Sequence, residues 1–114
     1  MAEVVFERGE DMVIDLTVRV RRNVQVAAHE LGGGEGGVLL HLTSGQYHRV
    51  DTVGWTIWSL LDGARSLREV AEEVRARYPD APDHVAADVQ GFVADLVRRD
   101  LAEVVPADQA GQGA

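Results

Sequence analysis

The sequence predicts an α+β domain: a three-stranded antiparallel sheet followed by three helices. Three observations carry this. Thr43-Ser44-Gly45 reads as a tight hairpin turn, and Gln46–Val50 after it as a strand that runs at once into the apolar segment Thr52–Leu61, closed by Asp62-Gly63. Ser66-Leu67-Arg68-Glu69 has the spacing of a capping box, in which the Ser hydroxyl accepts from the first-turn amide and the Glu reaches back. Val85, Val89, Phe92 and Leu96 recur at intervals of 4, 3 and 4, the stripe of a core-facing helix.

The elements follow in order. Ile14 to Val20 alternates apolar and polar residues, as an edge strand does, and Arg19, Arg21 and Arg22 form a small basic cluster. Asn23–Glu30 reads as the first strand of the sheet, with Val24, Val26 and Ala28 on one face. Val38–Leu42 is the second and Gln46–Val50 the third. Between the first two lies Gly32–Gly37. It matches G-x-G-x-x-G literally at Gly32, Gly34 and Gly37, but a phosphate-cradling loop must open a helix, and a strand comes next. The glycines therefore read as a hairpin loop.

The second hairpin admits two registers. A two-residue turn at Ser44-Gly45 pairs His41 with His48. A three-residue turn at Thr43–Gly45 places Val38, Leu40 and Leu42 on one face with His48 and Val50, and points His41 the other way. The second gathers more apolar groups and is the expected one.

In the first helix Asp51 or Thr52 is the cap. Val53, Ile57, Leu60 and Leu61 make the buried stripe with Trp58 beside it, and Gly63 fits the exit. The second helix shows Leu67, Val70, Ala71, Val74 and Tyr78 and stops at Pro79. Pro82-Asp83 opens the third. Ala86, Val93 and Val97 form a second apolar shoulder about 80–120° around that helix, while the opposite flank carries Asp88, Gly91 and Asp95. Leu101–Val105 reads as a final extended piece. The expected division is 1–22 as an N-terminal arm or extra strand, 23–105 as the domain, and 106–114 as a disordered small-residue tail.

Composition narrows the function classes. The 114 residues fit one modest core, and 46% of them are hydrophobic. No apolar run approaches the ~18 residues of a membrane span, and no basic, then apolar, signal segment opens the chain. Cys is absent, which removes disulfides, thiolate nucleophiles and thiolate metal sites and fits a cytoplasmic location. Three helices beside a hairpin also describe a winged helix that binds DNA, but the net charge of −8 argues against phosphate recognition. All basic residues other than His are Arg.

Catalytic groups are sparse. His29, His41, His48 and His84 form no H-x-x-x-H or H-E-x-x-H pattern, so neither a metal nor a cofactor is expected. Glu72-Glu73 reads as a solvated face. Asp88 and Asp95 share one side of the third helix without a nucleophile or base beside them, so their use is solvent exposure or contact with basic groups of a bound peptide. No enzyme is expected. What remains is shape. If Gln46–Val50 lies at the sheet edge, an extended peptide can add to it, with the shoulder of the third helix as the other wall.

Gly37-Val38-Leu39-Leu40, Thr43-x-Gly45-x-Tyr47-x-x-Val50-Asp51, Ile57-Trp58-x-Leu60-Leu61-Asp62-Gly63 and Ala87-Asp88-Val89-x-x-Phe92-Val93-x-x-Leu96 occur in an order and spacing that resembles the PqqD-like family from about residue 23 to 105. Within it the chain is most similar to stand-alone RiPP recognition elements of lasso-peptide clusters. The resemblance implies a winged-helix-like, PqqD-type domain. It also implies binding of a precursor's leader peptide as an added strand between the third strand and third helix. The leader would then pass to a leader peptidase of the cysteine protease class, and a macrocycle-forming enzyme would act after cleavage. The peptide contacts it implies are Gln46, Tyr47, His48, Arg49 and Val50 on the strand, with Val89, Val93, Leu96 and Val97 on the helix. His48 stands where relatives carry an aromatic, and Val50-Asp51 replaces a commoner Leu-Asn pair. The arm 1–22 has no counterpart. The alternative is a winged-helix DNA-binding regulator, whose recognition helix needs exposed Arg, Lys or polar base readers.

Overall fold

A computed structural model describes residues 14–106. These residues form two three-stranded antiparallel sheets and three helices. The elements are β1 (Arg19–Arg22), β2 (Val26–Glu30), β3 (Gly37–His41), β4 (Tyr47–Val50), α1 (Thr52–Leu60), β5 (Asp62–Ser66), α2 (Leu67–Arg77), α3 (Val85–Arg98) and β6 (Ala102–Val104). One sheet has the order β2-β3-β4, the predicted hairpin pair. The other has the order β5-β1-β6. The α+β class and the three helices stand as read from the sequence, and the second sheet is an addition.

The second sheet exists because β1 finds partners on both sides. Val20 pairs with Val104 on one side, while Arg19 and Arg21 pair with Ser66 and Asp62 on the other, across a bulge. Val20 is 1% exposed and Ile14 is also buried in the core. The expected edge strand is thus a central strand, and a division after residue 22 cuts through packed structure. Among the described residues the core includes Ile14, the first of them. By contrast Val24, expected in the first strand on one face with Val26 and Ala28, lies in the β1–β2 connection and is 85% exposed. The remainder of the arm and the tail expected over 107–114 fall outside the described residues.

The second hairpin takes neither expected register. Val50 pairs with Gly37, His48 with Leu39 and Tyr47 with Leu40. The loop is four residues, Leu42–Gly45: His41 N–H donates to Gln46 O (2.9 Å), and Gly45 N–H donates back to His41 O (2.8 Å) with Gly45 at φ 77°. The consequence is a change of face. Gly37, Leu39, His41, His48 and Val50 point inward, and Val38, Leu40, Tyr47 and Arg49 point outward. Counting apolar residues chose wrongly because the core demands fit rather than number. Leu39 is fully buried at the centre, and Gly37 is required where the ring of Trp55 crosses the strand.

The helices follow their local signals. The Asp51 side chain accepts from Gly54 N–H at 2.8 Å and caps α1, and Ser66 and Glu69 form the reciprocal capping box of α2. Ile57, Trp58, Leu60 and Leu61 are buried as expected, but Val53 is 38% exposed. Gly63 does not end α1; Leu61 does, and Gly63 sits at φ 81° inside β5. α3 begins at Val85 with no side-chain cap. Leu101 N–H donates to Leu96 O at its end, and Asp100 takes a left-handed φ of 62°.

Candidate functional site

Among the described residues β4 has one strand partner, so its other edge is open there. The ladder shows which groups face out. His41 N–H bonds to Gln46 O, and Leu42 N–H bonds to Gln25 O, so odd-numbered residues of β3 serve β4 and even-numbered ones serve β2. His48 and Val50 therefore bond inward. Tyr47 and Arg49 present their backbone N–H and C=O groups to the free edge. The side chains of Tyr47 (73% exposed) and Arg49 stand on the outer face, where Arg49 reaches Glu35 at 3.1 Å.

Beneath this edge, between β4 and α3, lies a cleft of about 220 Å³. From the strand side it is lined by His48, Arg49 and Val50, and from the helix side by Phe92, Asp95, Leu96 and Arg99, with Leu101 at its end. Asp88, Phe92, Asp95 and Arg99 recur at 4, 3 and 4 and so share one flank of α3. This is the Asp88–Asp95 flank, not the apolar shoulder that the sequence nominated. Phe92 supplies the apolar surface, and its ring is held against Gly54 in the first turn of α1.

The predicted residues divide accordingly. His48, Arg49, Val50 and Leu96 meet at the cleft, and the backbone of Tyr47 borders it. Gln46 closes the hairpin and does not line it. Val89 and Val93 are 0% exposed inside the core and offer no surface to a peptide. Val97 packs on the core on the other side of the helix. The sequence places Phe92 in the core stripe and offers Asp95 only as a solvent-facing charge or a contact to basic groups of a peptide; Arg99 it does not single out. The signal was present, since Phe92 stands at the margin of the stripe next to the acidic flank.

The cleft is polar at its rim and internally balanced. Asp95 accepts from Arg98 and Arg99, both at 2.8 Å. Burial raises the Asp95 carboxyl, but the hydrogen bond and charge of Arg99, and then of Arg98, outweigh it and leave the pKa below the ordinary carboxylate value. Asp88 pairs with His84 at 2.7 Å instead. His48 is half-buried on the inner face. Behind the cleft, His41 Nε2 lies 3.0 Å from Asp100 Oδ2, and Asn23 Nδ2 donates to Asp100 O at 2.7 Å. Among the described residues no group of three or more His, Cys, Asp or Glu converges, and no helix is long and apolar enough to cross a membrane. The arrangement offers backbone donors and acceptors beside a shallow cleft of mixed polar and apolar lining, the chemistry of strand addition.

Comparison with known proteins matches this geometry to a family. The family model described as coenzyme PQQ synthesis protein D (PqqD) matches residues 36–102. Among solved structures, TbiB1 in complex with the TbiA(β) leader peptide is 30% identical, with a TM-score of 0.63 over 73% of this chain and 94% of that one. A lasso peptide synthetase B1 complexed with the leader peptide is 22% identical, with a TM-score of 0.63 over 77% and 99%. The solution NMR structure of the PqqD truncation of Methylobacterium extorquens PqqCD, described as a stand-alone RiPP recognition element, is 21% identical with a TM-score of 0.61 over 75% and 88%. The last two likenesses concern the fold. No curated protein matches the sequence significantly.

Proposed function

This chain belongs to the PqqD family, and we propose that it binds the leader segment of a ribosomally made precursor peptide by strand addition to β4. The observation that carries the reading is the open edge at Tyr47 and Arg49 directly above the Phe92–Leu96 pocket. A peptide strand there gains main-chain hydrogen bonds from Tyr47 and Arg49, and each second side chain points down toward Phe92, Leu96 and Leu101. The likeness to TbiB1, solved with a leader peptide bound, supports leader binding, and the resemblance of the sequence motifs to lasso-cluster recognition elements points to a lasso-type precursor. The contacts are the β4 backbone with His48 and Val50, and Phe92, Asp95, Leu96 and Arg99 on α3.

The role is capture and delivery rather than catalysis. The bound leader holds the precursor for a leader peptidase of the cysteine protease class, and a macrocycle-forming enzyme acts on the released core. Backbone pairing supplies affinity that tolerates side-chain variation in the leader, and the pocket supplies selectivity.

The DNA-binding alternative is not supported. The exposed flank of α3 carries Asp88 and Asp95, and Arg98 and Arg99 at its end are both bound to Asp95. Titrating the ¹⁵N-labelled chain with its leader peptide tests the reading. Strand addition moves the Tyr47 and Arg49 amides and protects them from exchange, while Val38 and Leu40, already paired to β2, stay protected throughout.

A further inference from the structure

The outer face of the β2-β3-β4 sheet is apolar. The ladder pairs Ala27 with Leu40 and Leu40 with Tyr47, so one row of side chains crosses all three strands on that face. Val38 stands beside the row on β3, and Leu42 follows Leu40 at the start of the loop. Tyr47 is 73% and Leu42 56% exposed, Ala27 is exposed, and Val38 and Leu40 are half-buried. None of the five belongs to the core or packs against it. An antiparallel sheet with one face on the core ordinarily shows polar residues on the other. Here Val38, Leu40 and Leu42, the residues whose alternation reads as core, stand outside it.

The face is also electrically balanced. Among the residues that the three strands turn outward, Arg49 carries the one full charge, and Glu35 offsets it at 3.1 Å. The chain as a whole has a net charge of −8, so two copies repel wherever their acidic surfaces meet. At this face they meet without local repulsion. The row is graded in size, from Ala27 on β2 through Leu40 to Tyr47 on β4. A two-fold axis parallel to the strands, midway between two such faces, sets Tyr47 of each copy over Ala27 of the other. It sets Leu40 and Val38 over their own counterparts, and Arg49, already paired, over His29. Large then faces small, the self-complementarity that an isologous contact requires.

We propose that the outer face of this sheet is the contact between two copies of the chain, packed sheet on sheet with their strands aligned. The α3 cleft lies on the inner face and the β4 edge lies in the plane of the sheet, so the contact leaves both open in each copy. The inference therefore stands apart from the leader reading. The face is small: three strands wide and about five residues long, it measures about 10 by 17 Å. That is well below the roughly 800 Å² each partner contributes to a standard interface. The dimer is accordingly a weak one, with a Kd on the order of 100 μM.

Sedimentation equilibrium of the full chain from about 10 μM to about 1 mM, at low and at high salt, tests it. The average mass should rise from one chain toward two, and more steeply in high salt, which screens the repulsion between two acidic copies. Leu40→Lys and Leu40→Asp should each weaken association about ten-fold or more, because like charges then meet across the axis, and an equal mixture of the two should restore it. In ¹⁵N spectra of the parent the amides of Ala27, Leu40 and Tyr47 should shift with concentration while those of α2 hold still. A chain that stays monomeric at about 1 mM overturns the proposal. Contacts between the Leu40 methyls and residues 1–13 in that monomer assign the face to the N-terminal segment, and their absence leaves it to another protein. Association that persists in both Leu40 variants, or does not return in their mixture, overturns it as well.

Discussion

His41 and Asp100 meet across 59 residues of chain, with Nε2 at 3.0 Å from Oδ2. Ser44 N–H donates to His41 Nδ1 at 3.3 Å, so the proton sits on Nε2 and is donated to Asp100. The pair ties the β3–β4 hairpin to the corner where α3 turns into β6, next to Leu101 at the end of the cleft. His41→Ala leaves the Ser44 amide and the Asp100 carboxylate without their partner and should cost about 1–3 kcal/mol in a urea melt. Asp100→Gly removes the same tie but suits the left-handed backbone at φ 62°. It should stay within about 1 kcal/mol of the parent.

Gly37 and Trp55 make a sharper steric prediction. A Cβ at position 37 would stand 2.3 Å from Trp55 Cε3 and 2.9 Å from His29 O. Gly37→Ala should therefore destabilise by about 1–3 kcal/mol, measured by chemical denaturation, because the indole has to leave its place over the strand.

Removing residues 1–22 should abolish the native fold. It deletes the central strand of the β5-β1-β6 sheet and takes Ile14 and Val20 out of the core. The truncated chain should show collapsed amide dispersion by NMR. A well-dispersed spectrum would mean that the second sheet is dispensable.

Much of this was legible in the sequence. The capping box at Ser66, the Asp51 cap, the stop at Pro79 and the buried Trp58 all rest on local chemistry, and local chemistry reads directly. The role of Arg19–Arg22 did not, because its partners Asp62–Ser66 and Ala102–Val104 are distant in the chain and nothing in a four-residue segment names them. The hairpin register also failed. Leu42 and Leu40 look like core, yet the four-residue loop turns them out and gives the inner face to Leu39 and His41. On α3 Val85, Val89 and Leu96 are core as expected, but the spacing also puts Phe92 in the stripe and Val93 on the shoulder, whereas Val93 is fully buried and Phe92 turns toward the acidic flank.

Stability should fall with acid in a predictable window. For Asp62, burial raises the carboxyl, but the amides of Arg65 and Ala64 and the Arg65 charge outweigh it; Asp95 is lowered in the same way by Arg99 and Arg98. A depressed folded pKa stabilises above the ordinary value near 3.8, and that contribution is lost as pH falls through the lower folded value. Both groups are partly exposed, so the effect is small. Asp62→Asn and Asp95→Asn should each flatten the loss of Tm between about pH 4 and 2, read by calorimetry.

The central claim is that a leader lies between β4 and the Phe92 flank of α3, and one comparison of affinities tests it most directly. Fluorescence anisotropy with the labelled leader should show Phe92→Ala weakening binding by about 2 kcal/mol, close to thirty-fold, with the fold intact. Val97→Ala, on the opposite flank, should leave affinity unchanged. Val93→Asp cannot substitute for this pair, because it places a charge at a site with 0% exposure and should unfold the domain. Unchanged affinity in a folded Phe92→Ala variant, with the loss appearing in Val97→Ala instead, would contradict the account.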